Sequence, residues 1–176
     1  DLLSFSPELL VKATSNALLT KPIKGTMKRA FDIKQDSLIK KSLLSCSKNR
    51  AENMMIVDLL RNDLSKVSFV DSVKVESFLA LETMPSVFHL VSTISSTLLK
   101  EFTYFDALDA LFPGGSITGA PKYSTMQIIN ALEVSARGIY CGSIGHLSPG
   151  NSMCFNIAIR TLTASNGKLY CNAGGG

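Results

Sequence analysis

No block of lysine or arginine interrupts this sequence, and charged residues make up only 18% of its 176 positions, with a net charge of +4. Nucleic acids and anionic membrane surfaces select such blocks, so both are disfavoured as partners. No apolar run approaches the roughly 20 residues that a bilayer-spanning helix needs. The four cysteines, Cys46, Cys141, Cys154 and Cys171, form no C-x-x-C pair. Cys141 and Cys154 sit in apolar stretches, as reduced, buried thiols do, and no secretory signal opens the chain. A reducing, cytoplasmic setting is therefore expected. Internal repeats and low-complexity tracts are also missing.

What is present is a 45% apolar composition, enough for one ordered domain, residues 1–176, with a substantial core. The order of elements reads as mixed α and β. Residues 2–5, 9–14 and 17–21 read as short strands divided by turns at Ser6-Pro7-Glu8 and Ser15-Asn16. Pro22 to Ala30 reads as a loop, and 32–50 as a polar loop leading into a helix. Met54, Met55, Val57, Leu59, Leu60 and Leu64 give a helix from Glu52 to Val67 an apolar face. Residues 67–83 and 86–91 look β-rich, Thr103 to Phe112 forms a short amphipathic helix, and a second helix follows Pro121. Ile139–Leu147 and Ser152–Thr163 read as a hairpin closed by Pro149-Gly150-Asn151, and Lys168–Cys171 as a last strand. The apolar opening at Leu2–Phe5 and the glycine-rich close suggest an incomplete piece of a larger domain.

Several residues have chemistry to offer, each with a plainer alternative. On the second hairpin strand, Met153, Phe155, Ile157 and Ile159 alternate with Cys154, Asn156, Ala158 and Arg160. Arg160 on that small, polar face either forks a carboxylate or simply reaches solvent or a structural Asp. Gly114 to Lys122 either presents backbone N–H groups to an anion or is only turn chemistry, and it lacks the Gly-Lys-Ser/Thr ending of a P-loop. Lys24, in a Pro-bounded loop, is a nucleophile if desolvated and a surface lysine otherwise. Glu8 and Glu52 suit acid/base work or Mg²⁺, or are exposed structural acids. His89 is a satisfied core histidine or a site residue, and His146 is read as structural.

From Ser4 to Gly176 the chain resembles the catalytic region of the chorismate-utilising enzymes, which include anthranilate synthase component I, aminodeoxychorismate synthase component I and isochorismate synthase. The matching stretches are Ser6-Pro7-Glu8, Pro22-Ile23-Lys24-Gly25-Thr26, Ala51-Glu52-Asn53 through Asp63, and His89-Leu90-Val91-Ser92. They continue with Phe112 to Lys122, Arg137 to Gly142, Ile159-Arg160-Thr161 and Ala173 to Gly176. Eight matches in the family's order are highly specific.

The resemblance implies an α/β (α+β) fold of two packed β-sheets with outer helices, here incomplete. Within the family, Lys before the glycine of the Gly25-Thr26 loop marks aminodeoxychorismate synthases, whereas anthranilate synthases carry Ala. It implies that Lys24 attacks carbon 2 of chorismate as the carbon 4 hydroxyl departs, with Glu8 as the acid. Ammonia then adds at carbon 4 and expels the lysine. Lys24 must shed its proton to attack, which burial and neighbouring positive charge favour. Glu52 matches a ligand of Mg²⁺, while several relatives carry an acid where this chain has Asn49. Tyr140 and Arg160 match residues on the enolpyruvyl carboxylate. Gly174 and Gly176 match a carboxylate-binding turn, Gly25, Thr26 and Thr118 line the substrate, and His89 lies near the reacting ring. The implied partners are chorismate, ammonia and a glutamine amidotransferase that is separate or fused. The rival readings are anthranilate synthase chemistry and an inert remnant or interaction module that keeps the fold.

Overall fold

The computed structural model describes residues 1–174. Two antiparallel sheets account for the strands, as expected. The larger holds β2 (Leu9–Thr14), β3 (Ala17–Lys21), β4 (Ile23–Lys28), β5 (Lys74–Thr83), β6 (Val87–Thr97), β7 (Gly145–Ser148) and β8 (Ser152–Asn156). The smaller joins β1 (Leu2–Ser4), β9 (Thr161–Ser165) and β10 (Lys168–Cys171), with β9 in the middle. Five helices complete the described residues: α1 (Ile33–Ser45), α2 (Ser47–Ser65), α3 (Tyr104–Leu111), α4 (Gly115–Thr118) and α5 (Lys122–Leu132).

Helix α2 shows why the chain folds onto the larger sheet. Its buried positions are Asn53, Ile56, Val57, Leu60, Asp63 and Leu64, a stripe at helical spacing. The apolar members meet Leu10, Val11 and Ala13 of β2, Leu18 of β3, Ile94 of β6 and Met153 of β8, with Ala107 and Leu111 of α3 closing the core. Each such side chain contributes roughly 1.5–3 kcal/mol on burial. No residue of the smaller sheet enters this core. The two polar members of the stripe are both held by partners. Asn53 Oδ1 accepts from the Ser92 hydroxyl of β6, and Asp63 accepts from Lys66 and Lys122.

The expected strand Ile139–Leu147 is strand only from Gly145, α2 starts at Ser47 with Met54 and Met55 exposed, and three further stretches differ from the sequence expectation. Pro22–Ala30 is not a loop: β3 pairs with residues 94–97 of β6 and β4 with residues 87–91 of the same strand, so β4 continues β3 past Pro22. Proline lacks the N–H for ladder pairing, which makes such a joint look like a loop in sequence. Residues 33–45 form a helix although only Leu43 is buried. Asp32 caps it by accepting from the Gln35 N–H at 2.9 Å, so it is stabilised at its end more than by an apolar face. The strand expected from Ser152 to Thr163 breaks after Asn156. Residues 157–160 leave the larger sheet and β9 begins the smaller one. Arg160 therefore lies at the crossing, exposed and with φ of +50°, rather than on an alternating strand face.

Candidate active site

The sheet positions Lys24 through an irregularity. Ile23 pairs with Val91 and Thr26 with His89, so three steps along β4 span two along β6. This extra residue is a β-bulge, a device that re-aims side chains. Gly25 sits inside it with φ of +103°, a conformation natural to glycine. A β-carbon there would fall 2.9 Å from Asn49 Nδ2 and 3.2 Å from Leu43 Cδ1, so α1 and α2 close over the bulge. Gly25→Ala is expected to lower stability by about 1–3 kcal/mol, which urea denaturation measures.

From the bulge, the Lys24 ammonium donates to the carbonyl oxygen of Ser116 in α4 at 3.4 Å. Glu8, in the approach to β2, is 7% exposed, and its Oε1 is buried without a hydrogen-bond partner, as is the Ser116 hydroxyl oxygen. Burial pushes the Glu8 carboxyl up; proximity to Ser116, the Lys24 charge and the Ile23 backbone pull the other way and lose. Glu8 is thus a carboxyl inclined to keep its proton, beside a lysine. Among the causes acting on Glu8, Lys24 is the one charged side chain.

Next along β4, Thr26 Oγ1 and His89 Nδ1 lie 2.8 Å apart. His89 is buried, and burial first, then the charge of Arg160, lowers its proton affinity against the opposing Glu82. The imidazole therefore stays neutral near pH 7. Arg160, although off the strand, is close enough for its charge to act on His89.

The α4 turn also faces a cavity of about 540 Å³, lined by Thr118, Tyr140, Arg137 and Cys141 among others. A β-carbon on Gly174 would stand 2.8 Å from the Tyr140 hydroxyl, so Gly174 lies against that ring's hydroxyl. Gly176 lies outside the described residues. The segment carrying Tyr140 is tied to the sheet crossing: Cys141 N–H donates to the Ala158 carbonyl at 3.0 Å and Ala158 N–H to Gly142 at 2.8 Å. Ile157 N–H in turn donates to the Glu8 carbonyl at 3.0 Å, linking this wall to the acid.

The Glu52 carboxylate lies 3.5 Å from Lys48 on the same helix. A hard divalent cation takes six or more oxygen ligands. Among the described residues no group of three or more His, Cys, Asp or Glu gathers. The position three residues before Glu52 is the amide Asn49, which is occupied against Gly25. These residues alone do not fit a magnesium site.

The structure thus brings Glu8 and Lys24 together, pairs Thr26 with His89, and sets Thr118 and Tyr140 on one cavity. Sequence reading passed over Ser116, a single serine in a glycine-rich turn, and the Asp63–Lys122 ion pair behind it. Asp63 at a buried position of an α2 stripe was the one legible hint of that pair. No helix among the described residues is long and apolar enough to cross a membrane.

A family model described as chorismate binding enzyme matches residues 1–176. Aminodeoxychorismate synthase component 1 of Escherichia coli (strain K12) is 49% identical over 175 residues, 99% of this chain and 39% of its own length. Anthranilate synthase component 1 of Aquifex aeolicus is 42% identical over 171 residues, 97% of this chain and 35% of its own. The crystal structure of anthranilate synthase component I from Streptococcus pneumoniae superposes with a TM-score of 0.85 at 38% identity, covering 96% of this chain and 37% of that one. The chain therefore spans under two-fifths of the length of these relatives. On the match over its whole length, this chain belongs to the chorismate binding enzyme family.

Proposed function

We propose that the chain carries the chorismate-converting chemistry of aminodeoxychorismate synthase component 1, making 4-amino-4-deoxychorismate on the route to p-aminobenzoate and folate. The observation that carries this reading is the closeness of Lys24 to a buried Glu8 of raised proton affinity at the Ser116 turn. Replacing a hydroxyl by ammonia is hard because hydroxide leaves poorly, and an acid with raised proton affinity meets that need at neutral pH. A lysine nucleophile divides the substitution into two easier steps.

In the first step Lys24 Nζ forms a bond to carbon 2 while the ring double bonds shift and the carbon 4–oxygen bond breaks. Glu8 gives its proton to the departing oxygen, which leaves as water, and recovers one from the alkylated amine. In the second step ammonia bonds to carbon 4, the double bonds shift back and the Lys24–carbon 2 bond breaks. Glu8 protonates the departing lysine and takes a proton from the new ammonium group. The sum is chorismate plus ammonia giving aminodeoxychorismate plus water, with the enolpyruvyl ether untouched.

Arg160 and Tyr140 serve the enolpyruvyl carboxylate in this reading, together with Gly174 and Gly176. Neutral His89, aligned by Thr26, orients the ring, while Gly25 and Thr118 line it. Ammonia comes from a glutamine amidotransferase partner, as the words "component 1" in the relatives' names suggest. Glu52 contributes to Mg²⁺ binding only together with carboxylates that the described residues do not supply, and no step here is routed through a metal.

Anthranilate synthase chemistry is the second reading, supported by the relatives of that name. Lys24 argues against it. The test supplies the protein in its natural full length with chorismate, Mg²⁺ and ammonia, and reads products by mass spectrometry. Aminodeoxychorismate without pyruvate is expected; anthranilate with pyruvate would overturn the assignment. Absence of any chorismate turnover would favour an inert remnant.

A further inference from the structure

We propose that the buried Asp63–Lys122 ion pair is a positioning device for the Lys24–Glu8 site, holding the α4 turn at the height where Ser116 meets Lys24. The proposal rests on the reading of Lys24 and Glu8 given above.

Asp63 has a side chain 1% exposed, and both its oxygens are engaged: Oδ1 by Lys66 at 2.7 Å and Oδ2 by Lys122 at 2.6 Å. The Lys122 side chain is itself only 17% exposed, and its ammonium also donates to the Leu111 carbonyl at 3.3 Å. One ammonium thus joins the C-terminal part of α2, the end of α3 and the start of α5. Between Leu111 and Lys122 lies the turn that carries Ser116 and Thr118.

On its downstream side the turn has Ile117, a partly buried side chain packed against the core, and beyond it little else. Upstream, Leu111 is fully buried, and Gly114 and Gly115 are seated so closely that a β-carbon would meet Ile157 Cδ1 at 2.8 Å and Leu59 Cδ2 at 2.5 Å. Downstream, α5 buries no residue at all. Lys122 is therefore the tether at that end. Ser116, between the two anchors, offers the carbonyl that Lys24 meets and a buried hydroxyl beside Glu8.

A buried ion pair is a poor device for stability alone, since apolar side chains of similar volume often hold a fold equally well or better. What a charged hydrogen bond adds is direction and distance, whereas apolar contacts tolerate sliding. Substrate-positioning geometry is sensitive on that scale, because a displacement near 1 Å costs about a hundredfold in rate.

The test is the double variant Asp63→Leu/Lys122→Met in the full-length protein. It is read by melting temperature, by kcat and KM for chorismate consumption, and by the rate at which acetic anhydride modifies Lys24, located by peptide mass spectrometry. The proposal expects a melting temperature at or above the parent's, kcat down about 10- to 100-fold, KM little changed, and an altered Lys24 modification rate. A folded double variant with parental kcat and parental Lys24 reactivity would overturn it.

If the double variant does not fold, Lys122→Arg is read in the same way. It keeps the charge, but its broader guanidinium cannot occupy the same point between Asp63 and Leu111. Parental kcat and Lys24 reactivity in folded Lys122→Arg would equally overturn the proposal. Because consumption of chorismate is scored whatever the product, and Lys24 reactivity needs no turnover, failure of the aminodeoxychorismate assignment is recognised separately, from the parent's products.

Discussion

Replacing Lys24 by alanine is expected to lower aminodeoxychorismate formation by about a thousandfold or more, with a much smaller change in the affinity for chorismate. The expectation follows from the role given to Nζ, which forms and breaks a bond to the ring in every cycle. A lysine that served only to attract an anionic substrate would behave differently. Its loss would raise KM, and Lys24→Arg, which retains the charge, would recover most of the activity. The covalent account predicts no such recovery, since a guanidinium stays protonated and has no free pair to donate. Steady-state kinetics of the two variants, with products identified at each step, separate these accounts. The fold should be unaffected, because Lys24 lies on the bulged segment of β4 with the Ser116 carbonyl as the one hydrogen-bond partner of its ammonium among the described residues.

Glu8→Gln is expected to move activity and stability in opposite directions. Loss of the acid removes proton transfer to the departing oxygen, for a fall in kcat of about 10²- to 10⁴-fold. The same change relieves the folded protein. Burial raises the Glu8 carboxyl above its ordinary value of 4.5, so the folded state holds this proton more tightly than the unfolded one. The stability contributed by the group is therefore complete below the ordinary carboxylate range and is lost as pH rises through the folded value. Glutamine does not ionise. The variant should gain on the parent as pH rises above that range, and denaturant midpoints measured from pH 4 to 8 show whether it does. A gap that widens toward low pH would mean that Glu8 is a stabilising carboxylate, and its role as acid would fall.

How much of this was legible in the sequence depends on which physical signal carried it. Helix α2 could be read because its apolar residues recur at helical spacing, and β2, β3 and β10 because turn residues bound them. Helix α1 could not, since it buries only Leu43 and depends on the Asp32 cap. The β8 reading ran too far for a different reason. Apolar alternation continues through Ile157 and Ile159 while the backbone is already turning toward the other sheet, and alternation does not record which sheet a residue joins. Arg160 was thus expected on a strand that is not there.

The candidate site was reached by motif and not by residue physics. Lys24, read in isolation, is an ordinary surface lysine. What distinguishes it is the bulge at Gly25 and the buried Glu8, both of which depend on pairings between residues far apart in the chain. The role of Ser116 and the Asp63–Lys122 contact escaped for the same reason, because only folding brings α2, α4 and α5 to one place.

The central claim is that Lys24 becomes bonded to the substrate, and it is tested most directly by intact-mass and peptide mass spectrometry of the full-length protein mixed with chorismate in the absence of ammonia. The account predicts a species heavier by chorismate less one water, located on the peptide containing Lys24. That species should disappear when ammonia is added and should be absent from Lys24→Ala. Aminodeoxychorismate formed at full rate by the Lys24→Ala protein, with no adduct at any stage in the parent, would contradict it.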